Sequence, residues 1–82
     1  MKQICVIGLG YIGLPTAAMF ASNGVKVYGV DIQKKVVDTI NQGKVHIEEP
    51  FLGEIVKKCV TNGMLSAGTE VRESDVFIIA VP

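Results

Sequence analysis

The chain has 82 residues, 49% of them hydrophobic, and its eight basic and eight acidic side chains cancel to a net charge of zero. That balance gives no electrostatic pull on nucleic acid or an anionic membrane, and the longest apolar run, Val76–Val81, is far too short to cross a bilayer. A domain this small buries only about 60% of its unfolded surface, so a mean hydropathy of +0.41 predicts a piece of a larger fold with an apolar flank left open.

In chain order, Ile4–Ile7 is a continuous apolar run ended by glycine, the pattern of a strand buried on both faces. Tyr11–Asn23 reads as a helix whose Leu14, Ala17, Ala18 and Ala21 form one narrow apolar face, with Asn23-Gly24 as its stop. Pro15 is tolerable there because early helical N–H groups lack intrahelical partners. Val25–Asp31 is the second strand. Gln33–Asn41 reads as a helix with Val36, Val37 and Ile40 inward and Gly43 beyond its end. Lys44–Glu49 is a connection, and Pro50 is placed to open a third helix, with Leu52, Ile55, Val56 and Cys59 as its inner stripe and Asn62-Gly63 as its end. Leu65–Thr69 is a weaker strand and Val76–Val81 a strong, buried one.

Crossovers of this length favour right-handed parallel units. The expected fold class is therefore α/β, one half of a Rossmann-type doubly wound parallel sheet, with spatial strand order third, second, first, fourth. The chain ends at Pro82, at the carboxyl end of an expected central strand, where ligand-binding loops leave such a sheet; residues 1–82 thus read as the N-terminal part of a dinucleotide-binding domain whose remainder lies elsewhere.

The chemistry concentrates where the first strand meets the first helix. Gly8-x-Gly10-x-x-Gly13 follows a strand and opens a helix, and Asp31 stands eighteen positions after Gly13 at the close of the second strand. The three glycines serve different physical ends. Gly8 permits the tight turn, Gly10 lets backbone approach a pyrophosphate, and Gly13 lets helix pack on sheet. Free N–H groups and the positive end of the helix dipole around Tyr11 and Ile12 then meet the phosphates. Together with the downstream acid, this context predicts a dinucleotide site, against the plainer reading of a tight turn in another α/β protein. Asp31 is expected to accept hydrogen bonds from the adenosine ribose hydroxyls and to repel a 2′-phosphate. At about 1.5–3 kcal/mol for charge-assisted bonds, that is roughly a 10- to 150-fold preference for NAD over NADP. The alternative for Asp31 is a cap for the helix from Gln33, and the two roles are compatible.

Other candidates read as structure. Lys34 and Lys35 fit a solvated helix face better than a phosphate contact. His46 is a loop residue without metal-ligand partners at a suitable spacing, and Glu48-Glu49 reads as charge at a helix start rather than an acid–base pair. Cys59 looks like a small core residue with no base partner. Cys5 sits inside an apolar strand, so reduced thiols and a cytoplasmic location are expected rather than a disulfide framework. A first strand starting almost at Met1 leaves no room for a signal peptide.

The run Val6-Ile7-Gly8-Leu9-Gly10-Tyr11-Ile12-Gly13-Leu14-Pro15 resembles the opening of the UDP-glucose/GDP-mannose dehydrogenase family. Gly29-Val30-Asp31-Ile32, Ile40-Asn41-Gln42-Gly43, the Glu49-Pro50 step and Ala80-Val81-Pro82 continue the likeness in register. Gly13–Ala17 and His46–Pro50 look most like the branch acting on UDP-N-acetylmannosamine. The resemblance implies a cytoplasmic, homo-oligomeric enzyme that oxidises the C6 hydroxyl of a UDP-sugar to a carboxylate in two NAD-linked steps, for bacterial surface polysaccharide. It matches Tyr11, Ile12 and Asp31 to nucleotide-contacting positions. The family's catalytic cysteine, lysine, asparagine and aspartate have no counterpart here, so no catalytic residue is assigned and the chain alone is expected to be inactive. Relatives often carry a basic residue five positions after the ribose acid, where this chain has Val36. Two other functions fit the cradle: a stand-alone nucleotide-sensing module, and a relative of 6-phosphogluconate or hydroxyacyl-CoA dehydrogenases. The open flank of the last strand predicts self-association of the chain.

Overall fold

In the computed structural model, residues 2–80 are described. Their order is β1 (Gln3–Ile7), α1 (Gly13–Ser22), β2 (Lys26–Val30), α2 (Lys34–Asn41), α3 (Leu52–Thr61), β3 (Leu65–Gly68) and β4 (Val76–Ile79). The four strands form one sheet in the order β3-β2-β1-β4, and every pairing is parallel, as the crossover lengths predict. Ile7 lies level with Val30 and Ile79, and Val30 with Gly68. All four strands therefore finish along one edge, from which the glycine turn and Asp31 depart.

The two sheet faces are covered differently. Ile4, Val6, Val27 and Leu65 face all three helices and form the main core with Leu14, Ala17, Ala18 and Ala21 of α1, Ile40 of α2, and Leu52, Val56 and Cys59 of α3. Three of the four buried α1 side chains beyond Gly13 are alanines, which lets the helix lie close on the strands. Fully burying a larger aliphatic such as Leu14 contributes about 1.5–3 kcal/mol. The opposite face carries Cys5, Tyr28 and Val30. No helix crosses it among the described residues. The β3–β4 connection serves instead: the Tyr28 hydroxyl donates to the Glu70 carbonyl at 3.1 Å, and the Arg72 guanidinium lies 4.2 Å from the Tyr28 ring centroid.

Several expectations change in detail. Helix α1 starts at Gly13 rather than Tyr11, because the chain is still turning through Tyr11 and Ile12. Pro50 does not open α3: it sits in a turn, Phe51 is left-handed at φ 65°, and the helix begins at Leu52. This reversal lets both Ile47 and Leu52 enter the core while Phe51 stays 76% exposed. The strand expected to be buried over Val76–Val81 is exposed at Val76, Phe77 and Ile79. It forms the outer strand beside β1, and among the described residues nothing pairs with its far side. Val81 lies outside the described residues.

The far edge, β3, is guarded. The Asn41 side chain accepts from the Ala67 N–H and donates to the Ala67 carbonyl, both at 2.9 Å. One side-chain amide thus copies a neighbouring strand and shields that edge from further pairing.

Candidate functional site

The site grows from the way β1 ends. Gly8 adopts φ 96°, a conformation open to glycine and costly for residues with a Cβ, and its N–H still reaches the Val30 carbonyl at 2.8 Å. Leu9 then folds back into the core. Its isobutyl group covers Gly29, where an added Cβ would come within 2.8 Å of Leu9 Cδ2. After Gly10 the chain turns outward, leaving Tyr11 69% and Ile12 73% exposed, and α1 begins.

Gly13 fixes the approach of helix to turn, since an added Cβ would overlap the Gly8 carbonyl oxygen. Gly10 differs: a Cβ there would meet nothing within 4 Å, so the space beside its backbone is open. The first hydrogen bonds of α1 run from the Leu14 N–H to the Gly10 carbonyl at 3.1 Å and from the Thr16 N–H to the Ile12 carbonyl at 3.2 Å. The N–H groups of Gly10, Tyr11, Ile12 and Gly13 have no partner among the described residues. Neither a side-chain cap nor an acidic residue occupies the first turn. Open space, a run of unpartnered N–H groups and a positive helix end suit a diphosphate, so the residues present fit a dinucleotide.

Asp31 stands at the neighbouring strand end, half-buried. Its Oδ2 accepts from the Leu9 N–H at 3.1 Å and its Oδ1 from the Gln33 N–H at 2.9 Å, while its own N–H donates to the Gly68 carbonyl at 3.1 Å. The capping role weighed from the sequence is not the one observed: Gln33 holds the N-cap position of α2 without a side-chain cap bond, and Asp31 closes the turn before it by accepting from the Gln33 N–H. A carboxylate has about four lone-pair positions, so two filled by amides leave acceptor capacity for hydroxyl groups. Gly8, Gly10, Tyr11, Ile12, Gly13 and Asp31 all belong to this one sheet edge. Sequence reasoning missed the parts played by Leu9 and Gly29. The signal for them is a lone leucine inside a glycine turn and a glycine inside an otherwise bulky strand.

The remaining candidates lie elsewhere. Lys34 pairs with Asp38 at 3.1 Å on the exposed face of α2, as the solvated-face reading expects. His46, Glu48 and Glu49 are exposed on the α2–α3 connection. Among the described residues, no group of three or more His, Cys, Asp or Glu side chains is placed to hold a metal ion. Both cysteines are free and buried. Burial pushes the Cys59 thiol above its ordinary value, with Lys58 opposing in part, which is contrary to what a nucleophile needs. No helix of the described residues is long and apolar enough to cross a membrane.

Comparison with known proteins places these observations. The family model described as "UDP-glucose/GDP-mannose dehydrogenase family, NAD binding domain" matches residues 2–82. The chain is 60% identical over 81 residues to the UDP-N-acetyl-D-mannosamine dehydrogenase of Campylobacter jejuni, covering 99% of this chain and 20% of that protein. Among solved structures, the UDP-N-acetyl-mannosamine dehydrogenase of Staphylococcus aureus superposes with a TM-score of 0.95 at 49% identity, over 99% of this chain and 20% of the other. The GDP-mannose dehydrogenase of Pseudomonas aeruginosa gives 0.94 at 38% identity, over 100% and 20%. The chain therefore spans about a fifth of the length of the relatives it matches.

Proposed function

Because the chain belongs to the UDP-glucose/GDP-mannose dehydrogenase family and corresponds to its NAD-binding domain, we propose that it cradles the adenosine and diphosphate side of NAD in a UDP-N-acetylmannosamine 6-dehydrogenase. The family places the cofactor as NAD; the observation that carries the site is the glycine turn, with unpartnered N–H groups from Gly10 to Gly13 beside an acid that keeps spare acceptor capacity.

In this reading the N–H groups of Gly10, Tyr11, Ile12 and Gly13 take the diphosphate oxygens. Gly8 and Gly13 keep side-chain bulk out of the turn. Asp31 accepts from the ribose hydroxyls and disfavours a 2′-phosphate through like-charge repulsion. Bound NAD would supply the hydride acceptor for each of the two oxidations at C6. The chain contributes binding and orientation: Cys5 and Cys59 are buried, which disfavours either as the nucleophile, and the chain covers about a fifth of its relatives' length, which supports assigning the nucleophile, the proton-transfer groups and the sugar pocket to the rest of the enzyme. Identity of 60% to a UDP-N-acetyl-D-mannosamine dehydrogenase favours that sugar and favours a dehydrogenase over a stand-alone sensor. A cytoplasmic homo-oligomer serving surface-polysaccharide synthesis, without nucleic-acid or membrane partners, completes the reading.

The test is a titration of the isotope-labelled chain with NAD and with NADP. Amide shifts should move at 8–14 and 31–35, at lower concentrations of NAD than of NADP. Shifts centred on the α2–α3 connection or on the Tyr28 face would refute the site. A longer polypeptide carrying this chain should yield two NADH per UDP-N-acetylmannosamine, and the 82 residues alone none.

A further inference from the structure

We propose that Asp31 is a positioning residue for the diphosphate turn, in addition to the ribose role on which this inference rests. Its two carboxylate oxygens hold two amides from different segments, Leu9 in the glycine turn at 3.1 Å and Gln33 at the start of α2 at 2.9 Å. Its backbone N–H ties the same point to the end of β3. One residue therefore ties together three of the chain segments that surround the site, two through its side chain and a third through its backbone.

The turn needs such a bracket. Gly8 and Gly10 flank Leu9 and have no side chains with which to brace the backbone. The turn is pinned at its two ends by the Gly8 N–H on the Val30 carbonyl and the Leu14 N–H on the Gly10 carbonyl, and at its middle by the Leu9 isobutyl group over Gly29 and the Leu9 N–H on Asp31. Hydrogen bonds to a charged acceptor are the stronger kind, and removing the carboxylate leaves the Leu9 N–H, on a residue only 1% exposed, without a partner. Because about half of the carboxylate's lone-pair positions stay open, hydroxyl groups can bind without displacing either amide. Cofactor choice and turn geometry are thus coupled through one residue, and a variant that deletes the carboxylate to admit NADP loosens the diphosphate cradle as well.

The experiment compares NAD with an NAD analogue lacking the adenosine 2′- and 3′-hydroxyls, each titrated against the unsubstituted chain, Asp31→Asn and Asp31→Ala. A positioning role expects Asp31→Ala to weaken the dideoxy analogue about tenfold, the equivalent of one lost hydrogen bond, with Asp31→Asn recovering part of that loss through its remaining carbonyl oxygen. If the analogue binds Asp31→Ala and the unsubstituted chain equally while NAD binding falls, the positioning role is overturned and the ribose role stands. If NAD itself binds Asp31→Ala undiminished, both are overturned. Should Asp31→Ala fail to fold, the unsubstituted chain decides. A through-hydrogen-bond coupling between the Leu9 amide nitrogen and the Asp31 carboxyl carbon supports the bracket, and its absence removes it.

Discussion

Substituting alanine at Gly10 and at Gly13 separates what the glycine turn does for the fold from what it does for a ligand. At Gly13 the new Cβ overlaps the Gly8 carbonyl oxygen, a backbone atom, and lies 3.4 Å from Ala80 Cβ. The helix must move off the turn, disturbing Leu14, Ala17, Ala18 and Ala21, all buried. Overpacking of this kind costs about 1–3 kcal/mol and sometimes more, and a backbone obstruction that cannot swing aside belongs at the upper end. A domain of 82 residues has about 4–12 kcal/mol in all, so a loss of about 2–3 kcal/mol lowers its melting temperature by roughly 10–20 °C. At Gly10 a Cβ meets nothing within 4 Å, and the residue is not among those with positive φ. There the fold should be unchanged, or gain about 0.4–1 kcal/mol from a less flexible unfolded chain. The same methyl occupies the space in which the diphosphate is proposed to lie, so NAD affinity should drop about tenfold or more. Thermal denaturation followed by circular dichroism, with NAD titration of each variant, gives the answer. Gly10→Ala with full NAD affinity would refute the cradle, and Gly13→Ala melting within about 2 °C of the parent would refute the packing argument.

Asn41→Ala removes both bonds to Ala67 and should cost about 1–2 kcal/mol in urea denaturation; the newly exposed β3 edge should also raise aggregation during concentration. Neither Cys5 nor Cys59 should react with an aromatic disulfide reagent at neutral pH until denaturant is added, because both are buried and burial keeps the Cys59 thiol protonated to higher pH than usual; prompt labelling of the native chain would contradict this. The outer strand exposes Phe77 and, at 70%, Ile79, so light scattering should show concentration-dependent association of the 82-residue chain that a Phe77→Lys, Ile79→Lys double variant reduces. A clean monomer at high concentration would remove that expectation.

What the residue order determined by itself was local and periodic. The alternation of apolar strands with helical stripes specified the element order. Gly24, Gly43 and Gly63, each with positive φ, ended helices where the sequence placed stops. The spacing of Gly8, Gly10, Gly13 and Asp31 singled out the turn proposed as the site, because these features depend on backbone chemistry within a few residues. Tertiary structure decided whatever depends on neighbours distant in the chain. Val76–Ile79 has the composition of a strand buried on both faces yet lies outermost, since burial depends on what covers a strand and among the described residues only β1 pairs with it. Pro50 looked like a helix start, but the joint burial of Ile47 and Leu52 moved the start beyond a left-handed Phe51. Asp31 read as a ribose acceptor; that it also grips the Leu9 amide, 22 residues earlier in the chain, follows only from β1 and β2 lying side by side, because a hydrogen bond between two strand ends exists once the sheet has brought them together.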